Sequence, residues 1–192
     1  MHEPSRNRDI RLWPLINLLL PIHSDRLLIH HLAERDFEDL YALETDAEVK
    51  RYVGGPVLRP RDECVSLMRL KLGSEICPLS IVMNEDASFV GRALLAKTRL
   101  TITSRPLWEI EWEIQVLIAR KYWGQGFGQE VVNELIRGAF ALPEITSVVA
   151  VVDPNNVASQ KLMENLGFQY VDKKSSPGSW DDNHLVFRLT KP

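Results

Sequence analysis

Three glycines fall at alternate positions in Tyr122-Trp123-Gly124-Gln125-Gly126-Phe127-Gly128-Gln129. A long strand-like segment precedes this run and an amphipathic helical stretch follows it. Glycine permits φ > 0 and leaves no Cβ over the loop. Main-chain N–H groups can then converge beside the positive end of a helix dipole, an anion site suited to phosphate or pyrophosphate. The plainer reading is a glycine-rich turn with no ligand. Two nucleotide-binding loops fail on specifics. A Walker loop ends in Gly-Lys-Ser/Thr, and Gly126-Phe127-Gly128-Gln129 supplies neither lysine nor hydroxyl. A G-x-G-x-x-G fingerprint requires glycine where Gln129 stands, although Glu144 lies at that motif's acid spacing of about 20 residues past Gly124.

Other reactive residue types are less promising. Cys64 and Cys77 lie on a helix and a pre-proline loop with no recognisable histidine partner, and most such cysteines are packing residues. His30 and His31 are neighbours on a strand, point to opposite faces, and cannot chelate one metal together. No metal site is expected. Trp108 and Trp112 share a strand face and read as core or cleft wall.

The elements that must carry these residues follow from periodicity. Arg26–Leu32 reads as a first strand. Glu34–Leu43 and Arg61–Leu72 carry apolar residues at helical spacing. Leu79–Met83, Phe89–Ala96 and Leu107–Ile118 are strand-like, with Asn84-Glu85-Asp86 as a turn between the first two. After the glycine loop, Val131, Val132, Leu135, Ile136, Ala139 and Phe140 form one helical stripe that Pro143 stops. Ile145–Val152 is a buried-looking strand, Asn156–Leu166 a helix closed by Gly167, and Phe168–Val171 and His184–Leu189 the last strands. Strands dominate the first half and a β-α-β-α-β run the second, a mixed α/β (α+β) chain.

Composition sets bounds. The chain has 192 residues, 45% of them hydrophobic and 26% charged, enough for one domain with a core and unlike a disordered or disulfide-dense chain. A formal charge of -3 leaves no basic surplus for gripping nucleic acid. Two cysteines fit a reducing compartment, hence the cytoplasm. Leu12–Leu20 is apolar but about half the ~20 residues that span a bilayer, so no membrane partner is expected. It reads as an N-terminal arm packed on the domain or on a second copy in a homodimer.

Taken in order, these motifs resemble the GNAT superfamily of acetyl-CoA-dependent N-acetyltransferases. Gly126-Phe127-Gly128 match the last three positions of its acyl-CoA motif, with Trp123 in place of the usual Arg or Gln. Tyr-Trp-Gly-Gln-Gly resembles the subgroup that includes ribosomal-protein-alanine N-acetyltransferases. Ser24–Ile29 resembles that subgroup's opening strand and Asp46–Val53 its helix-end motif. Asp153–Ser159 with Glu164–Phe168 resembles its second CoA motif. The likeness covers about residues 24–190, which divides the chain into an extension, 1–23, and an acetyltransferase-like domain, 24–192.

The resemblance implies a central mixed, mostly antiparallel sheet with helices on both faces, and acetyl-CoA as cosubstrate. It implies that backbone groups of Val116, Leu117 and Ile118 pair with the pantetheine arm. Gly124, Gln125, Gly126, Phe127, Gly128 and Gln129 would cradle the pyrophosphate, the same residues the anion-site argument selects. Asn156 matches a residue that contacts the pantetheine or the acyl end; as an alternative it caps the last helix, a role for which Asn is well suited. Ser159, on the same face one helical turn on, matches the subgroup's acid near the CoA sulfur, or is a serine packed at a helix start. The tyrosine many members use falls at Met163, which has no proton to give. Glu113 matches the subgroup's base. Glu109, Glu111, Glu113, Gln115 and Leu117 share one strand face, so their acids could bind a cationic amine or form a solvated sheet face. The implied activity is acetyl transfer to an amine acceptor by direct attack; the rival is a catalytically silent acyl-CoA-binding or sensing module.

Overall fold

The computed structural model describes residues 19–72, 78–103 and 105–192, and of residues 105–110 the main chain. Among these residues lie eight strands and four α-helices. The strands are β1 (Ile22–His23), β2 (Leu27–His31), β3 (Leu79–Met83), β4 (Phe89–Ile102), β5 (Arg105–Ile118), β6 (Ser147–Val152), β7 (Gln169–Lys173) and β8 (Leu185–Thr190). The helices are α1 (Phe37–Thr45), α2 (Arg61–Lys71), α3 (Phe127–Ala141) and α4 (Val157–Asn165). The strands form one sheet in the order β1-β2-β3-β4-β5-β6-β8-β7. Every neighbouring pair is antiparallel except β5–β6, as the mixed, mostly antiparallel expectation requires.

Side-chain alternation divides the strands between two apolar layers. On one face Ile29, Ile81, Ala93, Ile114 and Val148 pack with Phe127, Val131, Leu135 and Ala139 of α3 and Met163 of α4. On the other, Leu117 and Phe89 pack with Phe37, Leu40 and Leu43 of α1, and Val65 and Met68 of α2 lie against that cluster. Helices therefore cover both faces. The apolar stripe of α3 faces the first layer as its spacing predicts, with Val131 and Ala139 fully buried.

The long hairpin β4–β5 is the backbone of the site. Gly91 sits opposite Ile118, and a Cβ there would stand 2.1 Å from the Leu117 carbonyl oxygen. Only glycine lets the two strands approach so closely at this point. Sequence periodicity ends β4 at Ala96, but the strand runs on to Ile102 because β5 pairs with it that far. Residues Leu19, Leu20 and Ile22 pack against the first layer, and Ile22 pairs with Ile29, so this stretch joins the sheet. The earlier part of the proposed extension, with Cys77 and the side chains of Trp108 and Glu109, lies outside what the structure describes.

A buried charge cluster ties α1 to β4. Glu44 accepts from Arg92 Nε at 2.5 Å and from Lys50 Nζ at 2.7 Å. Burial alone would raise the Glu44 carboxyl, but the Arg92 and Lys50 charges outweigh it and hold it below the usual carboxylate range. A lowered folded value gives stability that is fully present above the unfolded pKa of about 4.3 and is lost as pH falls through the folded value. Thermal melts from pH 7 to pH 3 should therefore show a steep acid limb. Glu44→Gln should flatten that limb and cost about 3 kcal/mol at pH 7, since it strands two buried cations.

Candidate active site

The site opens where β5 and β6 part. They pair in parallel only at Trp112↔Val148 and Glu113↔Val149, and beyond Glu113 the strands diverge. β5 remains bonded to β4 along its other edge, so residues 114–118 present an open edge to the gap. The Ala119 amide donates to the Val90 carbonyl. Antiparallel alternation from that bond turns the main-chain groups of Val116 and Ile118 to the open edge and those of Leu117 to β4. Leu117 therefore offers the gap its surroundings but not its peptide groups. The Ile118 carbonyl is taken by the indole N–H of Trp123 at 2.7 Å, which folds Trp123 back over the strand end.

At the end of β5 the chain passes through a short 3-10 turn, Arg120–Tyr122, into the glycine loop. Gly124 and Gly126 adopt left-handed φ of 74° and 80°, and Gly126 is the N-cap of α3. Phe127, Gly128 and Gln129 form the first turn of α3, where amides have no partner within the helix. Gly128 has helical backbone, and a Cβ there would stand 3.8 Å from Leu162 Cδ2, an ordinary contact. Its lack of a side chain therefore serves the space over the helix end. The Gln125 side chain is turned away, donating to the Lys121 carbonyl at 3.0 Å.

A brace fixes this loop to β2. Glu130 accepts from Ser24 Oγ at 2.6 Å, from the Arg26 amide at 3.1 Å and from Arg26 Nε at 2.7 Å. Arg26 Nη1 donates to the Gln125 carbonyl at 3.1 Å, and its guanidinium lies 4.1 Å over the Phe127 ring. Burial works to raise the Glu130 carboxyl, but the bonds from Ser24 and Arg26 prevail and hold it low. No local pattern links Arg26 to Glu130, 104 positions away in the sequence.

Two adjoining cavities occupy the gap. One, of about 400 Å³, is lined by Val116, Ile118, Trp123, Gly124, Gly126 and Gly128, among others. The second, of about 100 Å³, includes Glu113, Gln115, Asp153, Trp180 and Asp181 in its wall. Tyr52, Val53, Val116, Leu117, Asn156, Ser159 and Leu162 border both, so a continuous path runs from the glycine loop to Glu113. Trp180 and Asp181 have no signal as site residues in the sequence, and Tyr52 and Val53 have only their place in the helix-end likeness, Asp46–Val53. They arrive from the turn after α1 and from the β7–β8 connection, where a Cβ at Gly54 would meet Trp180 at 3.4 Å.

Asn156 resolves a competition. Its Oδ1 accepts from the Ser159 amide at 3.1 Å and caps α4, while its side-chain N–H groups remain to serve a ligand in the cavities it borders. The cap uses the oxygen of the Asn156 side-chain amide and not its nitrogen. Ser159, on the same turn, is half-buried and borders both cavities. Met163 is buried in the first apolar layer.

The acidic face of β5 is not a solvated sheet face. Glu111 and Glu113 are each 8% exposed. Glu111 is ion-paired with Arg188 and accepts from Ser147 Oγ at 2.8 Å, so it is spoken for by β6 and β8 and does not await an amine. Glu113, two residues on, keeps a place in the cavity wall and accepts from Gln115 Nε2 at 2.7 Å. Asp181 is held low: burial opposes ionisation, but the bonds from Lys174 and Ser179 outweigh it. Among the described residues no cluster of three His, Cys, Asp or Glu side chains could hold a metal ion, and no helix is long and apolar enough to cross a membrane.

Comparison with known proteins agrees with this geometry. A family model described as Acetyltransferase (GNAT) domain matches residues 26–169. The chain belongs to the GNAT acetyltransferases, whose members draw their acetyl group from acetyl-CoA. It is similar to the "Uncharacterized N-acetyltransferase YoaA" of Bacillus subtilis, 25% identical over 186 residues that cover 89% of this chain and 97% of that protein. It is also similar to the FsC-acetyl coenzyme A-N(2)-transacetylase of Aspergillus fumigatus, 25% identical over 79% of this chain and 66% of that one. Among solved structures, a GNAT-family acetyltransferase from Bacillus anthracis superposes with a TM-score of 0.70 at 18% identity, covering 88% of this chain and 97% of the other.

Proposed function

We propose that the protein transfers the acetyl group of acetyl-CoA to a primary amine by direct attack in a ternary complex. The observation that carries this reading is the open edge of β5 running into a left-handed glycine turn and the N-terminus of α3. A pantetheine arm can add to the edge as a strand would, through the main chain of Val116 and Ile118, and the pyrophosphate can then lie against the amides of Phe127, Gly128 and Gln129. Gly124, Gln125 and Gly126 shape the turn, and Leu117 and Asn156 line the arm's path. The rest of the path leads the thioester to Ser159 and Glu113.

In this reading Glu113 takes a proton from the acceptor ammonium, which cannot attack while protonated; the pKa is about 10.4 for a lysine-type amine and about 8 for a protein N-terminus. The amine nitrogen attacks the thioester carbonyl; as the C–S bond breaks, Ser159 gives its proton to the departing sulfur and regains one from the nitrogen that becomes the amide. The acceptor is a protein N-terminus or a small-molecule amine. The first of these has support from a fold neighbour, the ribosomal-protein-alanine N-acetyltransferase from Brucella melitensis, with a TM-score of 0.61 at 22% identity over 85% of this chain and 99% of that one. We place the activity in the cytoplasm, with residues 24–192 as the acetyltransferase domain and 1–23 as an extension whose end, from Leu19, packs on the domain and adds β1 to its sheet.

Isothermal titration with acetyl-CoA tests the binding half; no binding up to millimolar ligand overturns the reading. Thiol release in the presence of an amine library tests the chemistry. Binding without amine-dependent thiol release would instead support a silent acyl-CoA-binding module, a reading favoured by the burial of Met163 where other members place a tyrosine. Ser159→Ala should lower kcat by about 10²-fold and leave acetyl-CoA affinity unchanged. The Asn156 cap survives this change because it holds the Ser159 main-chain amide. An unchanged kcat removes Ser159 from the acid role.

A further inference from the structure

A third cavity, of about 510 Å³, lies on the other side of Gln115 from the acetyl-CoA path, between α1, α2 and the sheet. Leu32, Leu40, Val57, Leu67, Met68 and Leu94 give it an apolar wall. Its volume falls in the range of about 300–1,000 Å³ typical of small-molecule sites. Gln115 borders both this cavity and the one that holds Glu113, and its amide is bonded to Glu113 at 2.7 Å. A molecule lodged here thus abuts Gln115, the residue bonded to the proposed base.

The charges around it are uneven. Arg59 and Lys71 stand exposed at the rim, and Arg92 and Glu44 form part of the wall. Arg59 is paired with Glu63, and Glu44 is shared between Arg92 and Lys50. Among the described residues, Glu44 and Glu63 set against Arg59, Lys71, Arg92 and Lys50 leave a surplus of two positive charges at this cavity, with Glu113 a further carboxylate across Gln115. A polyamine or an aminoglycoside would bring several ammonium groups against that surplus. An apolar body avoids that repulsion, covers the aliphatic wall, and needs one ammonium only where Glu113 waits.

We propose that this cavity is the acceptor site and that it takes a primary amine with a single positive charge and an apolar body. The inference rests on the acetyl-transfer reading above. It narrows the acceptor to apolar monoamines and sets polycations aside.

The test is steady-state acetyl transfer by the full chain with 2-phenylethylamine, ethylamine and spermidine, alongside titration of acetyl-CoA. kcat/KM for 2-phenylethylamine should exceed that for either other amine by at least about tenfold, the scale on which an apolar pocket discriminates. Leu94→Trp, which fills the cavity, should remove that advantage while acetyl-CoA affinity holds. Leu67→Glu on the exposed rim does not depend on core repacking and should shift the ratio toward spermidine by about fivefold, by reducing the positive surplus. Preference for spermidine, or equal rates for ethylamine and 2-phenylethylamine, overturns the acceptor class and leaves acetyl transfer standing. Acetyl-CoA binding with none of these three amines turned over overturns the acceptor class, and acetyl transfer falls with it only if the amine library and a peptide N-terminus also release no thiol.

Discussion

Gly128→Asp is expected to weaken acetyl-CoA binding by at least about 100-fold, or ~2.7 kcal/mol, while the protein keeps its fold. Gly128 has ordinary helical backbone and room for a Cβ, so the substitution introduces no strain. An aspartate in the first turn of a helix is locally favourable by about 0.3–1 kcal/mol. What it destroys is the anion site. A unit charge about 5 Å from a pyrophosphate charge costs about 3 kcal/mol at an effective dielectric of about 20. Calorimetric titration and a thermal melt on the same sample separate the two effects, with Gly128→Ala as the uncharged control. If Gly128→Asp binds acetyl-CoA like the parent, the pyrophosphate does not lie at the start of α3.

The second large effect is at Glu113. Glu113→Gln keeps the shape of the side chain and an oxygen to accept from Gln115, so the cavity wall should stand and acetyl-CoA affinity should stay within about twofold. Loss of a general base should lower kcat by about 10²–10⁴-fold. The acid limb of the pH profile of kcat/KM should disappear with it, a change that a packing defect would not produce. A variant that keeps the parent rate and profile would move the base elsewhere in the wall, where Asp153 and Asp181 are the remaining carboxylates.

Glu111 and Glu113 mark the limit of sequence reading. Both lie on one face of one strand, and only the family likeness singles out Glu113 in the sequence. Arg188, 77 positions away, comes to lie beside Glu111 because β8 pairs with β6 and β6 with β5. That pairing neutralises one acid and leaves the other in the cavity wall, a distinction that strand alternation does not make. The third cavity depends in the same way on α1, α2 and β4 meeting from three separate stretches of chain.

The glycine loop is the opposite case. Its turn, the start of α3, and the Asn156 cap of α4 span three to eight residues each, and their geometry follows from local backbone preference and short-range hydrogen bonds. Those features, with the helical stripe of α3 and the alternation in β3, were legible in the sequence itself. The family likeness rests on the same local blocks. The parting of β5 from β6, the brace of Arg26 on Glu130, and the placing of Tyr52 and Trp180 at the cavity wall were decided by tertiary structure. Each requires residues distant in sequence to be ordered together, and packing and strand pairing set that order, which the periodicity of any single segment does not encode.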